Sequence, residues 1–282
     1  MSVSKMIGRK ISVLGGGWLG YPLAQELVQL GASVNLSTRS QQRKHSFDIN
    51  TDMDTNTQIK AKALSAFLVD IENLSSDVTD FLNAEVLVVN ITNKNIPAFA
   101  ALIEKIEQSP IKHVMFISST SVYPDNNGVI SESDKLESAE HPLSKIEWLF
   151  KQSNSFDTTV IRFSGLIGYE RHPGRFFRNG KTIKNAQAKV NLIHRDDCLN
   201  IICQIINEDI WSEDFNVCSD THPNKQEFYT HAAKSLGVEP AQCETNSTPA
   251  FKVIDNAKVK ARLNYQFVYP DVMAIDFSRD VC

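Results

Sequence analysis

Residues Lys10-Ile11-Ser12-Val13-Leu14-Gly15-Gly16-Gly17-Trp18-Leu19-Gly20 decide the fold. Lys10–Leu14 reads as a short apolar strand. The six residues after it satisfy G-x-G-x-x-G. Leu19, Leu23, Leu27 and Leu30 then recur at spacings of 4, 4 and 3, which lays one apolar face along a helix. Gly31 stands where a helix stop belongs, and residues 33–36 read as a second strand. Strand, glycine turn, helix and strand make the opening unit of a parallel sheet.

The alternation continues outward. Residues 66–71, 85–91, 111–117, 158–163 and 215–218 read as strands, the second of them a continuous apolar run suited to burial on both faces. Residues 96–108, 143–151, 196–207 and 225–236 carry helical periodicity. Residues 40–62 read as a polar loop with one short helix, 166–190 as loops and short elements, and the tail from Val238 as irregular. The expected fold is α/β: a doubly wound, mostly parallel Rossmann sheet with a small C-terminal substrate lobe. Residues 1–165, completed by about 191–220, would form the sheet domain. Residues 166–190 and 221–282 would form the lobe.

Composition narrows the class. The 282 residues hold 29 Lys and Arg against 33 Asp and Glu, a formal net charge of −4, which argues against a general nucleic-acid binder. Apolar residues at 42% and charged residues at 22% suit a globular chain that buries a core. No window reaches the ~18 apolar residues of a membrane span. The basic N-terminus fails as a signal peptide because glycines break its apolar run. The five cysteines, Cys198, Cys203, Cys218, Cys243 and Cys282, are odd in number and widely spaced, with no C-x-x-C. Neither a disulfide framework nor a structural zinc site is expected, and the reducing cytoplasm is the expected compartment. The seven histidines show no HxxxH or HExxH spacing, so no metal site is expected.

The glycines have separate physical tasks. Gly15 permits the tight turn off the strand. Gly17 lets a pyrophosphate approach the backbone with no Cβ in the way. Gly20 lets the helix pack close to the strand. The helix start at Trp18, Leu19 and Gly20 then offers amide groups and a positive dipole end to the phosphates. A purely structural glycine turn is the alternative. After the second strand come Ser37-Thr38-Arg39-Ser40, with no carboxylate for a ribose 2′-hydroxyl. Arg39 could pair a 2′-phosphate in bidentate fashion, which selects NADP, with NAD as the alternative. Arg43 and Lys44 add charge, and a solvated basic loop is the bland reading. Asp70 is placed to accept from an adenine amino group or to form a turn. Asn90 ends the fourth strand, near the same ligand.

Four further segments resemble the extended short-chain dehydrogenase/reductases, also called the NAD-dependent epimerase/dehydratase family. They are Ser118-Ser119-Thr120-Ser121-Val122-Tyr123, Ile161-Arg162-Phe163 with Gly165-Leu166-Ile167-Gly168 and Arg171, Asn191-Leu192-Ile193-His194-Arg195-Asp196-Asp197, and Phe215-Asn216-Val217 with Asp220 and Pro223. The resemblance runs from Lys10 to about Pro270. It implies hydride transfer on a nicotinamide cofactor, with Ser119 donating a hydrogen bond to the reacting oxygen and Lys145 holding the nicotinamide ribose. It also implies a homodimer formed through a helix bundle.

One departure stands out. The family pair is Tyr-x-x-x-Lys, and this chain has His141-Pro142-Leu143-Ser144-Lys145. His141 either supplies acid/base chemistry in place of the phenol or simply opens a helix. Tyr123 and Tyr169 are the fallback phenols. The substrate side is expected to be basic: Arg171, Arg175, Arg178, Lys181, Lys184 and Lys189 lie in a window without Asp or Glu. Such a cluster would gather an anionic small-molecule substrate, a nucleotide-sugar diphosphate among the family's choices, with Arg171 and Arg175 in contact. His194 is expected to fix the lobe and Asp197 to cap the following helix. A non-catalytic protein that senses NADP(H) or scaffolds a partner is the competing reading.

Overall fold

The computed structural model describes residues 5–52, 63–74, 78–177, 181–244 and 250–277. β1 (Lys10–Leu14) leads into α1 (Gly20–Gln29), then β2 (Ser33–Thr38), α2 (Gln41–Asp52), β3 (Leu64–Leu68) and α3 (Val78–Phe81). β4 (Val86–Val89), α4 (Ile96–Glu107), β5 (His113–Ser119), β6 (Val129–Ile130), α5 (Pro142–Gln152) and β7 (Asp157–Phe163) follow. β8 (Gly165–Ile167), β9 (Leu192–His194), α6 (Arg195–Glu208), β10 (Asp214–Val217), α7 (Lys225–Ser235), β11 (Val253–Ile254) and α8 (Ala257–Leu263) complete the chain.

Seven strands form one sheet in the order β10-β7-β5-β4-β1-β2-β3. β1 pairs in parallel with β2 and β4, β2 with β3, and β4 with β5. The order runs outward from β1 to β3 and then returns to β4. The β1–β4 neighbours are therefore the switch point, where the strand ends of a doubly wound sheet open a crevice. β6 with β11 and β8 with β9 form two small parallel sheets.

The chain makes two compact units. The first comprises Met1–Ser118, Ala139–Ile161 and Ile201–Asp214, the second Ser119–Ser138, Arg162–Asn200 and Phe215–Cys282. The first is built on fully apolar β4, all four residues of which are buried. Phe116 of β5 packs against Phe99 of α4 and Phe150 of α5, with centroids 6.0 and 5.2 Å away. Each such ring contributes about 1.5–3 kcal/mol by leaving water. The second unit has its own core of Ile167, Val190, Leu192, Phe228, Val272, Ile275 and Phe277.

Three expectations need correction. Residues 40–62 hold a twelve-residue helix, α2, rather than mostly loop; positions 53–62 lie outside the described residues. Phe47 supplies its buried anchor and stacks on Tyr21 of α1 at 4.7 Å. The tail is not wholly irregular, because β11 and α8 form there. β3 runs from Leu64 to Leu68 rather than 66–71, ending three residues early, so Asp70 lies beyond the strand. No helix among the described residues is long and apolar enough to cross a membrane.

Candidate active site

The glycine turn is held from both flanking strands. Gly15 has φ +107°, and a Cβ there would overlap the Asn90 carbonyl. A Cβ on Gly20 would overlap the Gly15 carbonyl, so α1 starts in contact with the strand end. Gly17 differs: a Cβ there would meet nothing within 4 Å. Packing among the described residues does not require a bare α-carbon at position 17. Asn90 donates its amide to the Gly15 carbonyl at 3.4 Å, so its side chain braces the turn. Ser37 accepts from the Gly15 N–H at 2.8 Å. α1 then opens at Leu19 with no side-chain cap and no acidic residue in its first turn. That leaves its positive end to an anion. The open space and the bare positive helix end together fit a dinucleotide diphosphate.

Around the turn, Thr38 is buried and Arg39 is exposed just past β2. No carboxylate among the described residues pairs with Arg39. Lys44 is met by Asp48 on its own helix at 2.8 Å, and the Arg43 guanidinium lies 5.8 Å from the Phe47 ring centre. Asp70 accepts from the Glu72 N–H at 3.1 Å and from the Asn73 amide at 3.4 Å, the geometry of a turn former. Glu72 in turn accepts from Asn93 at 2.9 Å and Asn95 at 3.3 Å, tying together the loops after β3 and β4.

His141 precedes α5 as its cap residue, and Lys145 lies one turn further on. The His141 Nδ1 accepts from the Leu143 N–H at 3.2 Å, so the imidazole caps the helix. Pro142 at the first helical position lacks an N–H and needs no partner. The Lys145 ammonium donates to the Glu140 carboxylate at 2.8 Å. Its stem lines an apolar cavity of about 440 Å³ with Ile96, Ala139, Ser144, Trp148 and Leu149. Beneath this surface, buried Glu147 accepts from the Ser118 hydroxyl at 2.5 Å and fastens α5 to the end of β5. Ser119 begins the second unit. Its hydroxyl accepts from the Ser121 N–H at 3.1 Å, opening the short turn Thr120–Val122.

Within the second unit the fallback phenols are structural. The Tyr123 hydroxyl donates to Asn216 at 2.9 Å and accepts from Arg162 at 2.7 Å. Arg162 is buried and also pairs with Glu137 at 2.6 Å. Burial pushes the Tyr123 phenol up to about 12, out of range for proton transfer near neutrality. Tyr169 adopts φ +54° beside Gly168, donates to Asp196 at 2.9 Å, and carries the Arg195 guanidinium on its ring at 3.5 Å. His194 is fully buried, with its ring centre 4.0 Å from that of Tyr269.

Asp197 does not cap α6. It lies inside the first turn and accepts from Tyr265 at 2.7 Å and from the Val268 and Tyr269 amides at 2.7 and 3.0 Å, anchoring the C-terminal segment. Arg171 and Arg175 are exposed, as are Lys181, Lys184 and Lys189, while Arg178 lies outside the described residues. Lys181 borders a cavity of about 580 Å³ lined also by Phe177, Tyr229 and Pro240. Among the described residues no group of three or more His, Cys, Asp or Glu is placed to hold a metal.

Sequence reading missed Ser37, Glu72 and Glu147. Ser37 falls on the polar phase of an apparent alternation, and Glu147 looks like an ordinary helix carboxylate. Only the third dimension shows both side chains turned into the core.

A glycine turn at the switch point of a parallel sheet defines a Rossmann-type α/β protein. Residues 11–218 match the NAD dependent epimerase/dehydratase family, and the chain belongs to that family. Protein YeeZ of Escherichia coli K12 is 28% identical over 284 residues, covering 95% of this chain and 98% of the relative. Among solved structures, the UDP-glucuronic acid 4-epimerase of Bacillus cereus, in complex with NAD, superposes with TM-score 0.75 at 17% identity, over 96% of this chain and 97% of that one. A functionally unknown conserved protein from Silicibacter pomeroyi superposes with TM-score 0.74 at 18% identity, over 94% and 95%. At these identities the superpositions speak for the fold.

Proposed function

We propose that the chain is a cytoplasmic oxidoreductase or epimerase/dehydratase-type enzyme. It binds NADP in preference to NAD and acts on an anionic small molecule of the nucleotide-sugar kind. The observation that carries this reading is the glycine turn: a braced backbone, open space at Gly17 and an uncapped α1. Membership of the family and the NAD bound by the Bacillus cereus neighbour support the nicotinamide cofactor. Arg39 meets the 2′-phosphate, and Asn90 keeps the turn in place. Asp70 and Thr38 border the adenosine side. When bound, the cofactor would accept hydride from a carbinol carbon of the substrate or supply it to a carbonyl carbon.

Ser119 has the role of a hydroxyl donor to the substrate oxygen. Lys145 has that of leaving Glu140 to hold the nicotinamide ribose. An ion pair this exposed is screened by water and opens readily. With Nδ1 accepting the Leu143 N–H, the neutral imidazole carries its proton on Nε2. His141 is then a hydrogen-bond donor to the substrate oxygen, and moving a proton through it requires release of the helix cap. Residues 166–190 and 221–282 form the substrate lobe. There Arg171 and Arg175 gather the anion.

The cap at His141 also favours the second reading, a non-catalytic NADP(H) sensor or scaffold. NADPH oxidation with a panel of carbonyl and nucleotide-sugar substrates separates the two. Turnover supports the enzyme, and its absence with tight NADPH binding supports the sensor. Fluorescence quenching titrations with NADPH and NADH test Arg39: Arg39→Ala is expected to lower NADPH affinity ten-fold or more, about 1.4 kcal/mol, and to leave NADH unchanged. A homodimer through α4 and α5 would cover Trp148, which is 59% exposed beside the apolar cavity. Sedimentation of the wild type and Trp148→Glu tests it, with a monomer expected for the variant.

A further inference from the structure

Ser37 lies in β2 at a position that is 1% exposed, in a core that would ordinarily take an apolar side chain. A hydroxyl there needs a partner, and its partner is the glycine turn. Its oxygen accepts the Gly15 N–H at 2.8 Å, and its own carbonyl accepts the Gly16 N–H at 2.7 Å. The Gly17 N–H goes to the Gly15 carbonyl at 2.8 Å, which Asn90 also approaches at 3.4 Å. The three glycine amides are thus spent inside the protein. The bonds that open α1 run from Tyr21 to Gly17 and from Leu23 to Leu19. The N–H groups of Leu19 and Gly20 precede them and meet no acceptor among the described residues.

We propose that Ser37 is a positioning residue for the cofactor diphosphate. By holding Gly15 through its hydroxyl and Gly16 through its carbonyl, it fixes the plane of the turn and so the direction in which the Leu19 and Gly20 amides are presented. An apolar residue at position 37 would leave the Gly15 N–H without an acceptor and let the turn rotate. The contact acts on the diphosphate common to both cofactors, whereas Arg39 acts on the 2′-phosphate of one. This inference rests on the dinucleotide reading.

Amide hydrogen exchange of the cofactor-free wild type, read by NMR, tests it first. The Gly15 and Gly16 amides are expected to exchange slowly and those of Leu19 and Gly20 fast, with NADPH slowing the latter pair at least ten-fold. Ser37→Ala is expected to speed Gly15 exchange and to weaken NADPH and NADH about ten-fold each, leaving their ratio unmoved. Ser37→Thr, which keeps the hydroxyl, restores both values. A folded Ser37→Ala protein that binds both cofactors within two-fold of wild type overturns the proposal. If that variant does not fold, fast Gly15 exchange in the wild type overturns it and slow exchange upholds it. A wild type that binds neither dinucleotide defeats the functional reading itself, whatever the Gly15 amide does.

Discussion

Two helix starts in the first unit are finished in opposite ways. α1 begins at a glycine turn with no side-chain cap, while α5 begins under the imidazole of His141. Both present a positive dipole end. At α5 the chain satisfies that end itself, with a ring nitrogen on the Leu143 amide and a proline at the next position. At α1 it spends the Ser37 hydroxyl and carbonyl lower down, on Gly15 and Gly16, and leaves the helix opening bare. A helix end that the protein completes is structure; one that it braces but leaves open is a place for a ligand. The same contrast separates Gly15 and Gly20, which the fold needs, from Gly17, which it does not.

The largest effect expected from this contrast is on folding. Gly15→Ala combines a positive φ with overlap on the Asn90 carbonyl, and should cost about 3 kcal/mol in urea denaturation. A loss below about 0.5 kcal/mol would mean that the turn is not rigid. Next is the cap: His141→Ala should lose about 1 kcal/mol, and His141→Asn, a good capping residue, should recover it. NADPH oxidation by the Asn variant sharpens the point. Turnover equal to wild type confines His141 to capping, whereas its loss gives the ring a further task at the substrate.

Much of this was legible in the chain because glycine spacing and leucine periodicity act over a few residues. β1, the turn and α1 follow from local rules, and so do β4, whose four residues are all apolar, and α4. α2 was hidden because only Phe47 and Ile49 are apolar in its twelve residues. α8 is seven residues long with two buried side chains, Val259 and Leu263, too short to show a period. Ser37 follows Ser33 and Asn35 at strand spacing and reads as a solvent face. That it is buried depends on the glycine turn lying across it, a contact 22 residues away. Asp197 reads as a cap from its place before an apolar run, but its partners Tyr265, Val268 and Tyr269 lie about 70 residues later, beyond local reading.

The smallest expected effect concerns a histidine that caps nothing in the first unit. His113 stacks on Trp211 at 4.4 Å, with Asp157 at 3.3 Å. Burial pushes its imidazole below the ordinary value, and the Asp157 carboxylate opposes that in part. The unfolded chain therefore takes up the proton first as pH falls. Stability should be full above about pH 6.5 and decline below it. His113→Phe keeps the stack and should flatten that part of the urea-midpoint profile. An unchanged slope would assign it to other groups.

Calorimetric titration of wild type and Gly17→Ala with NADPH and NADH tests the open helix start most directly. The expected result is saturable binding by the wild type, with affinity at least ten-fold weaker in Gly17→Ala, whose cofactor-free melting temperature stays that of the wild type. No binding heat for either dinucleotide with the folded wild type, or equal affinity in the two proteins, would contradict it.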